Sequence, residues 1–258
     1  MLAERYDLVV FDLDGVLYRA DDPVPHAPEV MAALREAGVR PSFLTNNSSR
    51  TPDQVAAKLR GMGIAADPGE VVTSALATAD LLARRGGGTA YVIGQDGIRR
   101  ALAEAGLSVL DGEPERVDHV VVGIDLEVTY TKLRIACELV QRGAGLVATN
   151  PDRSLPAVGA VWPGAGALLA VITETTGATA EVVGKPYAPV FETARRRAGA
   201  TNPLVVGDRL DTDIAGARDL GWDSLLVLSG VTTEEQAAAS PVRATFVADD
   251  LRALVEEP

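Results

Sequence analysis

Four consecutive apolar residues, Leu8-Val9-Val10-Phe11, run straight into Asp12-Leu13-Asp14-Gly15. A short run with no polar residue on either side of the alternation is the pattern of a strand buried on both faces. Gly15 interrupts the regular backbone just beyond it. In an open parallel sheet, ligands lie past the carboxyl ends of the strands, so two acids stand where chemistry is expected. At alternate positions of an extended chain Asp12 and Asp14 share a side, and carboxylates that close titrate as a pair or share a cation. Taken alone, the stretch reads equally well as a strand closed by an Asp-rich turn with Gly as punctuation.

The alternation of strand and helix continues down the chain. Residues 28–37 form a helical pattern with Val30, Met31 and Leu34 on one face and Gly38 as its stop. A strand over 39–47 ends in polar residues. The helix over 51–63 has Thr51 as N-cap and Pro52 at its first position. Residues 71–85 read as a short strand and another helix. After Gly86-Gly87-Gly88 a second series begins, with strands over 89–97, 117–125 and 145–150 and helices over 98–105 and 132–142. A polar, proline-bearing loop over 151–166 leads into a helix over 167–177. The remainder reads as strand 182–186, helix 188–199, strand 203–208, helix 212–221 and strand 224–230. Such alternation predicts parallel sheets joined by right-handed crossovers. Two βα series predict two domains, one made of residues 1–78 and 182–258, the other of residues 79–181 inserted into it.

Composition narrows the partners. Hydrophobic residues make up 47% of the chain but aromatics only 4%, so the core is built of Ala, Val and Leu. A formal charge of −12 argues against nucleic acid or an anionic membrane as a partner. It also means that an anionic substrate needs local positive charge. Lys58, Lys132 and Lys185 are the only lysines, against 21 arginines, so the surroundings of each carry information. Cys137 is the single cysteine and cannot form an internal disulfide; it reads as a small core residue. With neither a signal-peptide pattern nor an apolar run of membrane-spanning length, the expected location is the cytoplasm.

Three further segments carry side chains suited to chemistry. Thr45 precedes Asn46-Asn47-Ser48-Ser49; a hydroxyl and free backbone N–H groups at a strand end suit a phosphate or carboxylate, although an Asn-rich turn before a helix cap explains them too. Lys185 follows apolar Val182-Val183-Gly184, projecting near the same edge, or else into solvent. Asp208 ends a strand, with Asp211 and Asp213 just after it. The spacing does not fit an EF-hand, and Asp213 alone would be a helix-dipole partner. Asp12, Asp14 and Asp208 together offer oxygen ligands for a hard cation, of which Mg²⁺ is the natural choice. Gly164-Ala165-Gly166 has Leu169 where a dinucleotide fingerprint needs its third Gly, and His26 and His119 lack partners at metal spacing.

In their order, these four segments resemble the motifs of the haloacid dehalogenase superfamily of phosphatases. Asp12-Leu13-Asp14-Gly15 matches the first motif, Thr45-Asn46-Asn47 the second, Lys185 the third and Gly207-Asp208 with Asp213 the fourth. The long insert between the second and third motifs is similar to the type IIA branch, the NagD-like or 4-nitrophenylphosphatase group. Val16 stands where many members have Thr. The resemblance implies an α/β fold, a Rossmann-like parallel-sheet core with an inserted α/β cap domain of type C2. It further implies a Mg²⁺-dependent phosphatase acting on small phosphomonoesters, such as sugar, polyol or nucleotide phosphates, with glycerol 3-phosphate and phosphoglycolate among them.

The same resemblance implies roles. Asp12 would be the nucleophile that becomes an aspartyl-phosphate, and Asp14 the general acid and then base. Asp12, the Asp14 carbonyl and Asp208 would hold Mg²⁺, with Asp213 in the outer shell. Thr45, Asn46, Asn47 and Lys185 would hold the phosphoryl oxygens. A homodimer through the insert is a common arrangement in this branch. A phosphomutase or phosphotransferase sharing the aspartyl-phosphate, or a catalytically idle metabolite-binding regulator, are the alternatives on the same core. Since the motifs address only phosphate and metal, selection among substrates falls to the insert, and within it to Asp152, Arg153 and Trp162 of the 151–166 loop.

Overall fold

The computed structural model describes residues 1–157 and 160–256. Its contacts divide the chain into two compact units, one of Met1–Thr45, Pro52–Val72 and Lys185–Pro258, the other of Asn46–Thr51 and Thr73–Gly184.

In chain order, β1 (Leu8–Phe11) is followed by a small hairpin of β2 (Tyr18–Arg19) and β3 (Asp22–Pro23). Then come α1 (Ala27–Glu36), β4 (Pro41–Thr45), α2 (Pro52–Gly61) and β5 (Val71–Thr73). The middle of the chain holds α3 (Ser74–Arg84), β6 (Thr89–Ile93), α4 (Asp96–Glu104), β7 (Ser108–Val109) and β8 (His119–Val122). It continues with α5 (Tyr130–Gln141), β9 (Gly145–Ala148), β10 (Ser154–Ala157), β11 (Ala160–Pro163), α6 (Ala165–Thr176) and β12 (Glu181–Val182). The chain closes with α7 (Ala188–Ala198), β13 (Pro203–Gly207), a π-type turn over Leu210–Ile214, α8 (Ala215–Asp219), β14 (Asp223–Val227), α9 (Glu234–Ala239) and β15 (Phe246–Ala248).

The first unit is built on a six-stranded sheet of order β15-β14-β13-β1-β4-β5. β1 pairs in parallel with β13 on one side and β4 on the other, Phe11 standing opposite both Val206 and Phe43. The strand order therefore reverses beside β1, and at such a switch point an open parallel sheet leaves a crevice past its strand ends. All four residues of β1 are buried, as a strand covered on both faces requires. On one face Phe11 and Phe43 pack with ring centroids 6.4 Å apart, and α1 lays Val30, Met31 and Leu34 into the same cluster. These are the three residues that the helical spacing assigned to its apolar face.

The second unit carries its own five-stranded sheet, β12-β9-β8-β6-β7, parallel in every pair. Tyr91, Ile93, Val120 and Val122 from the sheet meet Ile135 and Leu139 of α5 and Ile172 of α6. Cys137 is buried on α5, the packing role its isolation suggested.

Several elements differ from the sequence reading. The strand expected over 182–186 is only Glu181–Val182, and it pairs with β9 in the second sheet. The helix expected over 212–221 is split into the turn at Leu210–Ile214 and a short α8. The loop over 151–166 contains an antiparallel hairpin, β10 with β11, pairing Leu155 with Trp162; Val158 and Gly159 lie outside the described residues. Pro156 and Pro163 argue against a strand in the interior of a sheet, but a two-stranded ribbon consists of edges, where a missing N–H is tolerated. Among the described residues no helix is long and apolar enough to cross a membrane.

Candidate active site

The register of the first sheet assembles the site. Phe11, Val206 and Phe43 lie level across β1, β13 and β4, so Asp12, Asp208 and Thr45 all leave the sheet at its carboxyl edge. The Asp12 N–H donates to the Val206 carbonyl at 2.9 Å, which carries β1 pairing one residue past the strand. Beyond it the chain turns sharply: the Leu13 carbonyl accepts from the N–H groups of Leu17 at 2.8 Å and Tyr18 at 3.2 Å. Gly15, at φ +85°, donates to the Tyr18 carbonyl at 2.8 Å. A positive φ of this kind is where Gly is favoured. The turn leaves Asp14 exposed, while Asp12 is half-buried.

Lys185 is 4% exposed. Its ammonium lies 2.6 Å from Asp12 Oδ1 and 2.6 Å from Asp213 Oδ1. Asp213 is itself 1% exposed, and its Oδ2 accepts from the Arg209 N–H at 3.2 Å and the Thr212 hydroxyl at 3.4 Å. The approach of Asp213 depends on Gly207, because a Cβ there would overlap the Asp213 side chain. Asp208, also 1% exposed, accepts the Val231 N–H on Oδ2 at 2.7 Å. Its Oδ1 is buried with no hydrogen-bond partner among the described residues.

The electrostatics follow from this burial. Loss of water pushes Asp208 up to about 6, and the neighbouring Asp213 carboxylate adds to the rise. Burial likewise raises Asp213 to about 6, against the pull of Lys185. Asp12 is raised by burial, opposed chiefly by Lys185 and reinforced by Asp208. For Lys185, burial alone would favour loss of the proton, but Asp12 and Asp213 outweigh it and hold the ammonium above its ordinary range. Three carboxylates therefore cluster around one ammonium, an excess of negative charge.

Carboxylate oxygens of Asp12, Asp208 and Asp213 lie within 4.8 Å of one another, a set that could hold a metal ion. Hard oxygen donors, excess negative charge and one buried carboxylate oxygen without a partner among the described residues fit a small divalent cation such as Mg²⁺. Spacing alone did not reveal that Asp213 pairs with Lys185. Its position in a first helical turn offered a dipole role, and only the fold brings the two side chains together.

The remaining predicted residues are placed as follows. Thr45 closes β4 and is buried. Asn46 and Asn47 belong to the second unit. There the Asn46 carbonyl accepts from Ser74 Oγ at 2.7 Å and Asn150 Nδ2 at 2.8 Å, and Asn46 Nδ2 donates to Asp152 Oδ2 at 3.2 Å. Asn47 Oδ1 accepts from the Ser49 N–H at 2.9 Å, closing the Asn-rich turn that the sequence also allowed. Asp152 is half-buried, Arg153 is exposed, and Trp162 is 51% exposed on β11. Gly164 and Gly166 have a packing explanation: a Cβ on either would overlap the main chain of Pro151–Asp152, which presses on the start of α6. The other two lysines are also engaged. Lys132 pairs with buried Asp125 at 3.0 Å, and Lys58 stands 3.9 Å from the Tyr18 ring centroid.

Known proteins identify the family. A haloacid dehalogenase-like hydrolase family model matches residues 9–108, and a second, HAD-hydrolase-like, matches residues 182–254. The acid sugar phosphatase of Staphylococcus aureus is 39% identical over 257 residues, spanning 98% of both chains. The chain belongs to the haloacid dehalogenase-like hydrolases. A solved structure of glycerol phosphate phosphatase from Mycobacterium tuberculosis in complex with magnesium is 36% identical, at a TM-score of 0.92 over 98% of this chain and 77% of that one. The 4-nitrophenylphosphatase from Thermotoga maritima is 32% identical at a TM-score of 0.90, covering 97% of each chain.

The Lys185 network leads to a stability test. Removing one partner of a buried ion pair costs about 3–5 kcal/mol; since Lys185 keeps Asp12, Asp213→Ala is expected at the lower end. Asp211→Ala removes only the exposed partner of Arg209, a class of pair worth at most about 1 kcal/mol. Urea unfolding of the metal-free variants compares the two. Equal losses would show that the buried network does not hold this edge of the sheet.

Proposed function

We propose that this hydrolase is a Mg²⁺-dependent phosphatase of small phosphomonoesters working through an aspartyl-phosphate. The observation that carries the reading is the buried Lys185 ammonium between Asp12 and Asp213 at the sheet's switch point, where Asp208 joins the two acids in a cluster and its Oδ1 has no partner among the described residues. Asp12 attacks phosphorus, and the bond from phosphorus to the ester oxygen breaks. Asp14, exposed on its turn, gives the departing alkoxide a proton. It then takes one from the water that cleaves the aspartyl-phosphate, releasing inorganic phosphate and restoring Asp12. Lys185 offsets the repulsion between the Asp12 anion and the phosphate. We assign Thr45, Asn46 and Asn47, with Lys185, to the phosphoryl oxygens. Mg²⁺ would be held by Asp12, Asp208 and the Asp14 carbonyl and would neutralise charge on the phosphoryl group. Asp213 acts through Lys185, which it orients.

We assign residues 79–181, which carry most of the second sheet's unit, to a cap that selects substrates, with Asp152, Arg153 and Trp162 as its selecting side chains. The names of the relatives, acid sugar phosphatase and glycerol phosphate phosphatase, favour sugar and polyol phosphates over nucleotides. Exposed Leu155 and Val161 on the hairpin and Val171 on α6 support a homodimer through the insert; a monomer mass by sedimentation at micromolar concentration refutes it.

Release of phosphate from p-nitrophenyl phosphate, with Mg²⁺ and with a chelator, tests the activity. Asp12→Asn abolishes release, since an amide is neither nucleophile nor anion. Asp14→Asn loses about 10²–10⁴-fold on alkyl phosphates and much less on p-nitrophenyl phosphate, whose leaving group scarcely needs a proton. Equal losses on both substrates, at unchanged metal affinity, would remove Asp14 from the acid role.

For the cap, Arg153→Ala and Trp162→Ala reorder kcat/KM across a panel of phosphomonoesters while leaving Mg²⁺ dependence as it was. A uniform fall on every substrate would place selection elsewhere.

A further inference from the structure

The segment after β14 encloses the Asp208 carboxylate from behind. Ser229 Oγ donates to the Gly15 carbonyl at 3.0 Å. The Val231 N–H donates to Asp208 Oδ2 at 2.7 Å, and the Thr232 N–H to the Asp208 main-chain carbonyl at 3.2 Å. Gly15 and Gly230 wall the same carboxylate, and a Cβ on either would overlap it. Oδ2 is thus committed to a backbone donor and enclosed by two glycines, while Oδ1 is left without a partner among the described residues.

This asymmetry bears on which cation the site accepts. Mg²⁺ demands a near-ideal octahedron of single oxygen donors, whereas Ca²⁺ takes more ligands and binds carboxylates through one oxygen or both. With Oδ2 hydrogen-bonded to the Val231 N–H and walled by Gly15 and Gly230, Asp208 turns its other oxygen, Oδ1, toward the cation. We propose that Ser229–Thr232 is a positioning element that reserves Asp208 Oδ1 for the cation and, by enforcing one-oxygen ligation, favours Mg²⁺ over Ca²⁺. The inference rests on the reading of Asp208 as a metal ligand. No residue of the segment need touch the cation or the phosphate; the Val231 N–H acts through Asp208.

Val231 is a convenient probe because its side chain is 68% exposed. V231P deletes the N–H and little packing, whereas the conservative V231A keeps the donor. Titration calorimetry of the metal-free full chain with Mg²⁺ alone and with Ca²⁺ alone reads both affinities, and circular dichroism checks the fold. Loss of a partner that orients a metal ligand typically costs about 10–100-fold in affinity. V231P is expected to lose that much for Mg²⁺ and distinctly less for Ca²⁺, with V231A binding Mg²⁺ as the wild type does. S229A, which removes only the tether to Gly15, is expected to weaken Mg²⁺ by ~2–10-fold and serves if V231P does not fold. Unchanged Mg²⁺ affinity in a folded V231P, or in S229A should V231P not fold, overturns the proposal; equal losses for the two cations overturn its selectivity. D208N separates the two levels of the argument. If D208N binds Mg²⁺ like the wild type, the metal-ligand reading itself fails; if it does not bind while V231P binds normally, only the positioning role fails.

Discussion

A lysine ammonium enclosed at 4% exposure cannot stand without anions around it, and Lys185 has two at 2.6 Å. Removing a cation from water costs several kcal/mol even after relaxation, roughly, and only close charge-assisted contacts offset it. Both contacts come from residues at the carboxyl edge of the sheet, Asp12 just past β1 and Asp213 in the turn after β13. The arrangement therefore depends on β1 and β13 pairing in their observed register and on Gly207 letting Asp213 close in. Lys185 supplies positive charge at one point of a chain whose formal charge is −12. An anionic substrate needs such a point.

Close approach is the second constraint, and glycine provides it repeatedly. Gly207 admits Asp213, Gly15 and Gly230 admit the Asp208 carboxylate, and Gly164 and Gly166 admit the Pro151–Asp152 main chain. In each case a Cβ would occupy space already filled by an acid or a carbonyl. The site is thus built by tight seating of carboxylates around one ammonium, and the same seating leaves Asp208 Oδ1 without a donor among the described residues. Burial raises Asp12, Asp208 and Asp213 because it removes water from their charged forms, and a divalent cation at the site would favour those charged forms.

The candidate residues fall in both units. The first unit carries Asp12, Asp14, Lys185, Asp208, Asp213 and Thr45, and the second carries Asn46 and Asn47. Arg153 and the exposed hairpin side chains Leu155, Val161 and Trp162 belong to the second unit. A fold shared with an acid sugar phosphatase and a glycerol phosphate phosphatase over nearly the whole chain is consistent with one phosphate chemistry serving different alcohols.

Local chemistry was enough to read much of this. The buried apolar run before Asp12, the α1 face of Val30, Met31 and Leu34, and the alternation of strand and helix each follow from residue type and period, and the four motifs named the family. Asp12 and Asp208 were legible because acids followed apolar strands, and Lys185 because a rare lysine followed an apolar run, although the strand itself stops at Val182. The hairpin of β10 and β11 was not legible, because its prolines speak against a sheet interior and say nothing about an isolated ribbon. Nor could the sequence say that β12 would pair with β9, that Asp213 would turn to Lys185, or that a backbone N–H at Val231 would hold Asp208. Those outcomes depend on partners distant in sequence, and in the last case on a main-chain group that every residue but proline carries. Spacing along one strand or helix determines which side chains share a face. Only the tertiary fold decides which atoms from separate segments meet, because burial and charge are settled by neighbours that the local sequence does not contain.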